Sequence, residues 1–200
     1  MPLDGSGTTA AVVLAGGTSR RLGGTDKTRL LVGGVPLLDR VLAVLPQAAE
    51  VVVVGLERPV GRPVRFVREE PPGGGPLAAL GAALPFVTAE RVWLLAADLP
   101  FLTAAALRAL AGALGRSDGA MAIDDTGRDQ RLLSLWWTAS LRSALPSDPG
   151  GAPLRRAFDG LTVSRVELSG DPPPWWDCDT PQALARAREW TGREGPARLP

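Results

Sequence analysis

Three short apolar runs, AAVVLA (10–15), EVVVVG (50–55) and RVWLLAAD (91–98), are the strongest constraint on how this chain folds. Each is continuously apolar rather than alternating, as expected of a strand buried on both faces of a sheet. Helix-patterned segments stand between and after them. PLLDRVLAVL (36–45) and PLAALGAALPF (76–86) each begin with proline, which is tolerated in a first helical turn. The third, TAAALRALAGALG (103–115), starts at Thr103, a suitable N-cap. Strands alternating with helices predict a mostly parallel sheet covered on both faces, an α/β fold.

The second half is less regular. A short strand is expected at VRFV (64–67), further strands at DGAMAID, QRLLSLWW and LTVSRVEL, and short helices at ASLRSAL and PLRRAF. A proline-rich loop, GDPPPWWDCD, then leads into a last helix, TPQALARAREW. One domain over 1–190 is expected, followed by a disordered tail, TGREGPARLP, over 191–200. The start lacks the basic-then-apolar pattern of a signal peptide and no run is long enough to span a bilayer, so a cytoplasmic protein with no membrane partner is expected. At a net charge of +1 no global field attracts nucleic acid, and any anion site must be local.

Histidine and tyrosine are both absent, and Cys178 is the only cysteine. Ser-His-Asp and Cys-His nucleophilic machinery and the usual zinc sites are thereby excluded. Carboxylates, Lys, Arg, backbone amides and a hard metal remain, which suit phosphate chemistry. The first strand runs into AGGTSRRLGGTDK (15–27), where Gly16 and Gly17 allow close backbone approach and Arg20, Arg21 and Lys27 can neutralise a polyphosphate. A Walker A loop is excluded because Asp26, not glycine, precedes Lys27, and the glycine spacing does not match G-x-G-x-x-G.

The stretch resembles the signature of the MobA-like nucleotidyltransferase family, carried here by Leu14, Ala15, Gly16, Gly17, Ser19, Arg21, Leu22, Gly23 and Lys27. GGVPLLDRV (33–41), GGGPLAAL (73–80), AADLP (96–100) and DCDTPQALARA (177–187) follow in the family's order, so the resemblance spans most of the chain. It implies a three-layer Rossmann-like nucleotidyltransferase fold. It also implies a reaction in which an acceptor phosphate attacks the α-phosphorus of an NTP and pyrophosphate leaves. An acceptor phosphate is already a nucleophile, in keeping with the missing histidine. Likeness is greatest to members that join GMP from GTP to molybdopterin. A cytidylyltransferase, a transferase for another phosphorylated metabolite and a non-catalytic nucleotide-binding protein are the alternatives. A monomer or weak homo-oligomer is expected.

By resemblance, Leu14, Ala15, Gly16, Gly17, Lys27, Glu70 and Asp98 bind the nucleotide, and Lys27, Arg21 and Asp98 are catalytic. Asp98 and Asp179 are implied as ligands of Mg²⁺, an ion that takes few protein ligands and leaves the rest to water and phosphates. For Asp179, capping of the last helix by Asp179 or Thr180 is a competing role. Glu70 stands where the family usually has Asp, Val54 or Gly55 where some members have Asn, and Arg131 where proline is common. Cys178 and Trp93 are read as packing, one of Trp136 and Trp137 as buried, and Trp175-Trp176 as loop anchors rather than a lid.

Overall fold

The computed structural model describes residues 8–16, 27–47, 49–70 and 72–194. A seven-stranded sheet forms from β1 (Thr9–Leu14), β4 (Glu50–Val54), β5 (Arg65–Val67), β6 (Arg91–Ala96), β7 (Gly119–Ile123), β8 (Asp129–Trp137) and β9 (Val163–Glu167). Their order across the sheet is β5-β4-β1-β6-β8-β7-β9. The β5–β4, β4–β1, β1–β6 and β7–β9 pairs are parallel, and β8 alone runs against its neighbours β6 and β7. The carboxyl ends of β1, β4, β5, β6, β7 and β9 therefore share one edge, where open α/β sheets bind ligands.

Alternation along the strands builds two cores. Ala11, Val13, Val51, Val53, Trp93 and Leu95 face α1 (Leu37–Val44) and α3 (Ala104–Leu114). Ala10, Val12, Val52, Val54, Val92 and Leu94 face α2 (Gly75–Ala83) and α4 (Thr138–Ala144). This is the expected three-layer arrangement. Thr103 caps α3, its hydroxyl accepting the Ala106 N–H at 3.1 Å. Trp93 and Trp136 are fully buried whereas Trp137 is exposed. Trp136 stacks on Phe158 with ring centres 4.5 Å apart and covers Gly119, where a Cβ would fall 2.2 Å from its ring.

Three local features differ from the sequence reading. The helix expected over 76–86 stops at Ala83 and tightens to a 3₁₀ turn over Leu84–Phe86. Pro85 lacks an N–H and its ring would clash with the preceding turn, so the α-helix cannot continue. An unanticipated hairpin joins β2 (Leu31–Val32) to β3 (Val35–Pro36), with Gly33 and Gly34 at φ 58° and 79°, the two left-handed residues of a type I′ turn. Finally, α5 (Pro181–Glu194) continues past residue 190, where the last helix was expected to give way to a disordered tail, and buries Thr191. Thr191 packs against the hairpin at Gly33 and donates to the Arg188 carbonyl. Among the described residues, no helix is long and apolar enough to cross a membrane.

Candidate active site

β1 ends in Leu14, Ala15 and Gly16 at the carboxyl edge. Leu14 pairs with Ala96 of β6, and the Ala97 N–H donates to the Leu14 carbonyl at 3.1 Å. Gly16 and Asp98 each lie two residues beyond this last strand pair. On the other side the Ala15 N–H donates to Val54 O at 2.8 Å. Gly16 is exposed, and a Cβ there would meet only Val54 O, at an ordinary 3.7 Å. Packing within the described residues does not demand glycine at 16. Gly55 is different: a Cβ would sit 3.1 Å from Ala15 O, so this position is held bare by β1 itself.

Asp98 is half-buried, and its carbonyl accepts the Cys178 N–H at 3.2 Å. This bond brings the loop of Asp177–Asp179 to the edge of β6, although eighty residues of sequence separate Cys178 from Asp98. Cys178 is completely buried with Val32, Leu37, Leu184 and Ala187, while Asp177 and Asp179 are exposed on either side. The extended backbone thus turns one residue inward and its two neighbours outward. Capping of α5 falls to Thr180, whose hydroxyl accepts the Ala183 N–H at 3.1 Å, and Asp177 accepts the Asp179 N–H at 3.3 Å.

Sequence reasoning missed the residue that braces this edge. Arg40 of α1 donates from Nε to Val32 O (2.8 Å) in the hairpin and from Nη1 to Pro100 O (3.2 Å) in the Asp98 loop. Gly33 makes room for that guanidinium, since a Cβ would lie 2.6 Å from Nη2. Arg188 of α5 adds a second tie, Nε to Leu31 O at 3.0 Å. Arginine at helix positions is too ordinary for sequence to single these out.

Glu70 is exposed just beyond β5 at the same edge, and its neighbour Glu69 accepts the Gly73 N–H at 3.1 Å to shape the following turn. Gly17 and Arg21 lie outside the described residues, as do Ser19, Arg20, Leu22 and Gly23. Lys27 opens a 3₁₀ turn over Lys27–Arg29, and its side chain is outside the described set. Among the described residues no cluster of three or more Asp, Glu, Cys or His is placed to hold a metal. The depressed carboxyls lie elsewhere. Asp118, at the opposite sheet edge, is held below the usual range by the Thr162 N–H, then by the Ser140 and Thr162 hydroxyls. Asp124 is lowered first by the Thr126 hydroxyl and closes the turn after β7. Trp175 and Trp176 donate to the carbonyls of Leu168 and Ala183, each at 3.2 Å, and so anchor their loop as expected.

A mostly parallel sheet with two aspartate-bearing loops joined at its carboxyl edge suits nucleotidyl transfer. The MobA-like NTP transferase domain matches residues 11–166, and the chain belongs to that family. The molybdenum cofactor guanylyltransferase of Rhodobacter capsulatus is 32% identical over 196 residues, covering 94% of this chain and 98% of the relative. The fold matches molybdopterin-guanine dinucleotide biosynthesis protein A from Archaeoglobus fulgidus with a TM-score of 0.71 at 21% identity, over 92% of this chain and 99% of the other. It also matches 2-C-methyl-D-erythritol 4-phosphate cytidylyltransferase from Thermus thermophilus, TM-score 0.69 at 22% identity, over 92% and 99%. Enzymes named for different bases share this architecture, so base choice is not a property of the fold.

Proposed function

We propose that the protein transfers GMP from GTP to the terminal phosphate of molybdopterin, with Mg²⁺, releasing pyrophosphate. The observation that carries the reading is the Cys178 N–H to Asp98 carbonyl bond, which gathers two aspartate-bearing loops beside the glycine-ended strand. The full-length likeness to the Rhodobacter guanylyltransferase supports GTP and molybdopterin over other pairs.

Two exposed or half-buried carboxylates, in a chain without histidine and with the one neighbouring cysteine side chain turned into the core, are hard oxygen donors and fit a hard divalent cation. Asp98 and Asp179 would hold it, and it would supply positive charge at the phosphates. The remaining tasks belong to the chain. Leu14 and Ala15 line the nucleotide, and the backbone amides of Gly16 and Gly17, which follow the paired end of β1, bind and orient the triphosphate. Lys27 and Arg21 neutralise charge that grows on the departing pyrophosphate. Glu70 contacts the nucleotide from β5. Holding the acceptor oxygen in line with the α-phosphorus then supplies much of the rate, because no proton has to be removed from a phosphate nucleophile.

The test is a thermal-shift panel of GTP, CTP, ATP and UTP with and without Mg²⁺, followed by transfer to molybdopterin with the nucleotide that shifts. A metal-dependent GTP shift and formation of the guanine dinucleotide are expected. A CTP-only response moves the reading to cytidylyl transfer, and no response to any NTP overturns it.

A further inference from the structure

The turn between β5 and α2, which carries Glu70 at the carboxyl edge, is fastened from the second half of the chain. Inside the turn, Glu69 Oε1 accepts the Gly73 N–H at 3.1 Å. Gly73 and Gly75 sit at φ 82° and 88°, and a Cβ at either would meet nothing within 4 Å. Glycines in such open surroundings give a turn little rigidity of its own. Gly74 provides a tie from outside: its carbonyl accepts the Gly151 N–H at 2.9 Å. Gly74 is also the N-cap of α2, where no side-chain hydrogen bond closes the helix.

Gly151 belongs to a strap that runs from the end of α4 to a 3₁₀ turn over Leu154–Phe158. The strap holds one shape. Asp148 Oδ1 accepts the Gly150 N–H at 3.1 Å, and Gly151 takes φ 68°, a left-handed conformation that disfavours any side chain. Leu145, Ala152 and Leu154 pack with the core beneath α2 and α4. Leu145 and Pro149 also lie on Gly81 inside α2, where a Cβ would fall 3.6 Å and 3.2 Å from them. Glycine weakens a helix interior, and at 81 its bareness lets Pro149 seat on the helix. The strap thus meets α2 along its side at Gly81 and at its start through Gly74.

We infer that Asp148 and Gly151 are positioning residues for the nucleotide: through Gly74 they fix the glycine turn, and with it the place from which Glu70 reaches the nucleotide. The inference rests on the guanylyl-transfer reading for the role of Glu70. Its physical basis is pre-organisation. A turn containing three successive glycines loses much conformational freedom when a ligand orders it, and a strap that orders it beforehand spares the ligand that cost. Asp148 shapes the strap and the Gly151 N–H delivers the contact, so the two act in series.

The experiment is calorimetric titration of GTP and of CTP, each with Mg²⁺, into wild type, Gly151→Ala, Asp148→Ala, Asp148→Asn and Gly160→Ala. Transfer to molybdopterin and melting temperature are followed in parallel. Gly160 has φ 78° and open surroundings like those of Gly151 but stands in the turn before β9, so its variant carries similar strain away from the strap. Gly151→Ala and Asp148→Ala should each weaken the nucleotide by about fivefold, the worth of one ordinary hydrogen bond at about 1 kcal/mol. The KM for the nucleotide should rise in step while kcat and the KM for molybdopterin stay unchanged. Asp148→Asn keeps the accepting oxygen and should bind as wild type does; Gly160→Ala should lose stability but not affinity. Unchanged affinity in either strap variant, equal weakening in Gly160→Ala, or no rescue by Asp148→Asn overturns the inference, and normal GTP transfer beside any of these leaves the guanylyl reading standing. Binding of CTP alone, weakened by the strap variants, keeps the inference and sinks the guanylyl reading. Absence of binding by both nucleotides to wild type overturns both.

Discussion

Removing the Arg40 guanidinium should damage stability and metal dependence together. Hydrogen bonds of 2.8 Å to Val32 O and 3.2 Å to Pro100 O hold the β2–β3 hairpin to the loop that carries Asp98. Bonds from a charged donor contribute about 1.5–3 kcal/mol each. The side chain is half-exposed, so water replaces part of that loss. A total near 2 kcal/mol is expected for Arg40→Ala, which for a domain of this size lowers Tm by about 4–8 °C. Lysine presents a single ammonium in place of a fork, so Arg40→Lys should recover part of this, through one carbonyl. The functional readout is the Mg²⁺ concentration giving half-maximal transfer, measured below the variant's melting range alongside urea unfolding. Arg40→Ala should raise that concentration several-fold, and Arg40→Lys should move it part of the way back. A fall in stability with an unchanged Mg²⁺ response would refute the claim that Arg40 positions Asp98 and leave it only a packing role.

Gly16→Ala should leave the urea midpoint nearly unchanged, since the added methyl meets Val54 O at an ordinary distance, yet weaken GTP in a binding titration; a large stability loss with normal binding would show that glycine is needed by the fold. Thr180→Ala should cost about 1 kcal/mol by uncapping α5 while leaving the metal response intact. Asp179→Asn should do the reverse, with stability within about 0.5 kcal/mol of wild type, and exchanged phenotypes would return Asp179 to a capping role. Asp118 is depressed in the folded state by the Thr162 and Ser140 bonds, so its contribution to stability is complete above the ordinary aspartate range and disappears as pH falls through the folded value. Asp118→Asn should therefore be less stable than wild type at pH 7 and converge with it in acid, as read from urea midpoints at the two pH values.

The parts of this molecule legible in sequence are those set by local pattern. Continuous apolar runs gave the buried strands, Thr103 its helix, and alternation the opposite fates of Trp136 and Trp137. The metal roles of Asp98 and Asp179 are what the family resemblance implies, whereas Cys178 buried between two exposed aspartates follows simply from extended backbone. Tertiary competition decided what was missed. The Gly33-Gly34 turn was taken as part of a longer motif rather than as a two-residue hairpin, although both glycines have positive φ. The end of α5 looked polar and fragmentary, yet Thr191 is buried because the hairpin, itself unforeseen, supplies its partner at Gly33. One omission produced the other. Arg40 was invisible for a related reason, since its partners are backbone carbonyls and carry no side-chain signature.

The same ties explain how a chain without histidine can organise phosphate chemistry. A transferred nucleotidyl group needs charge and alignment more than a proton carrier, so the demand falls on backbone placement. Here the placement is distributed. Asp98 stands in the turn just after β6, between Ala97 and Leu99 of the larger core, whereas the Asp179 loop is seated on the small cluster of Val32, Leu37, Cys178, Leu184 and Ala187. Cys178 belongs to both arrangements: its side chain fills the small cluster while its N–H reaches the Asp98 carbonyl. A small buried residue thereby joins the two loops that carry the aspartates.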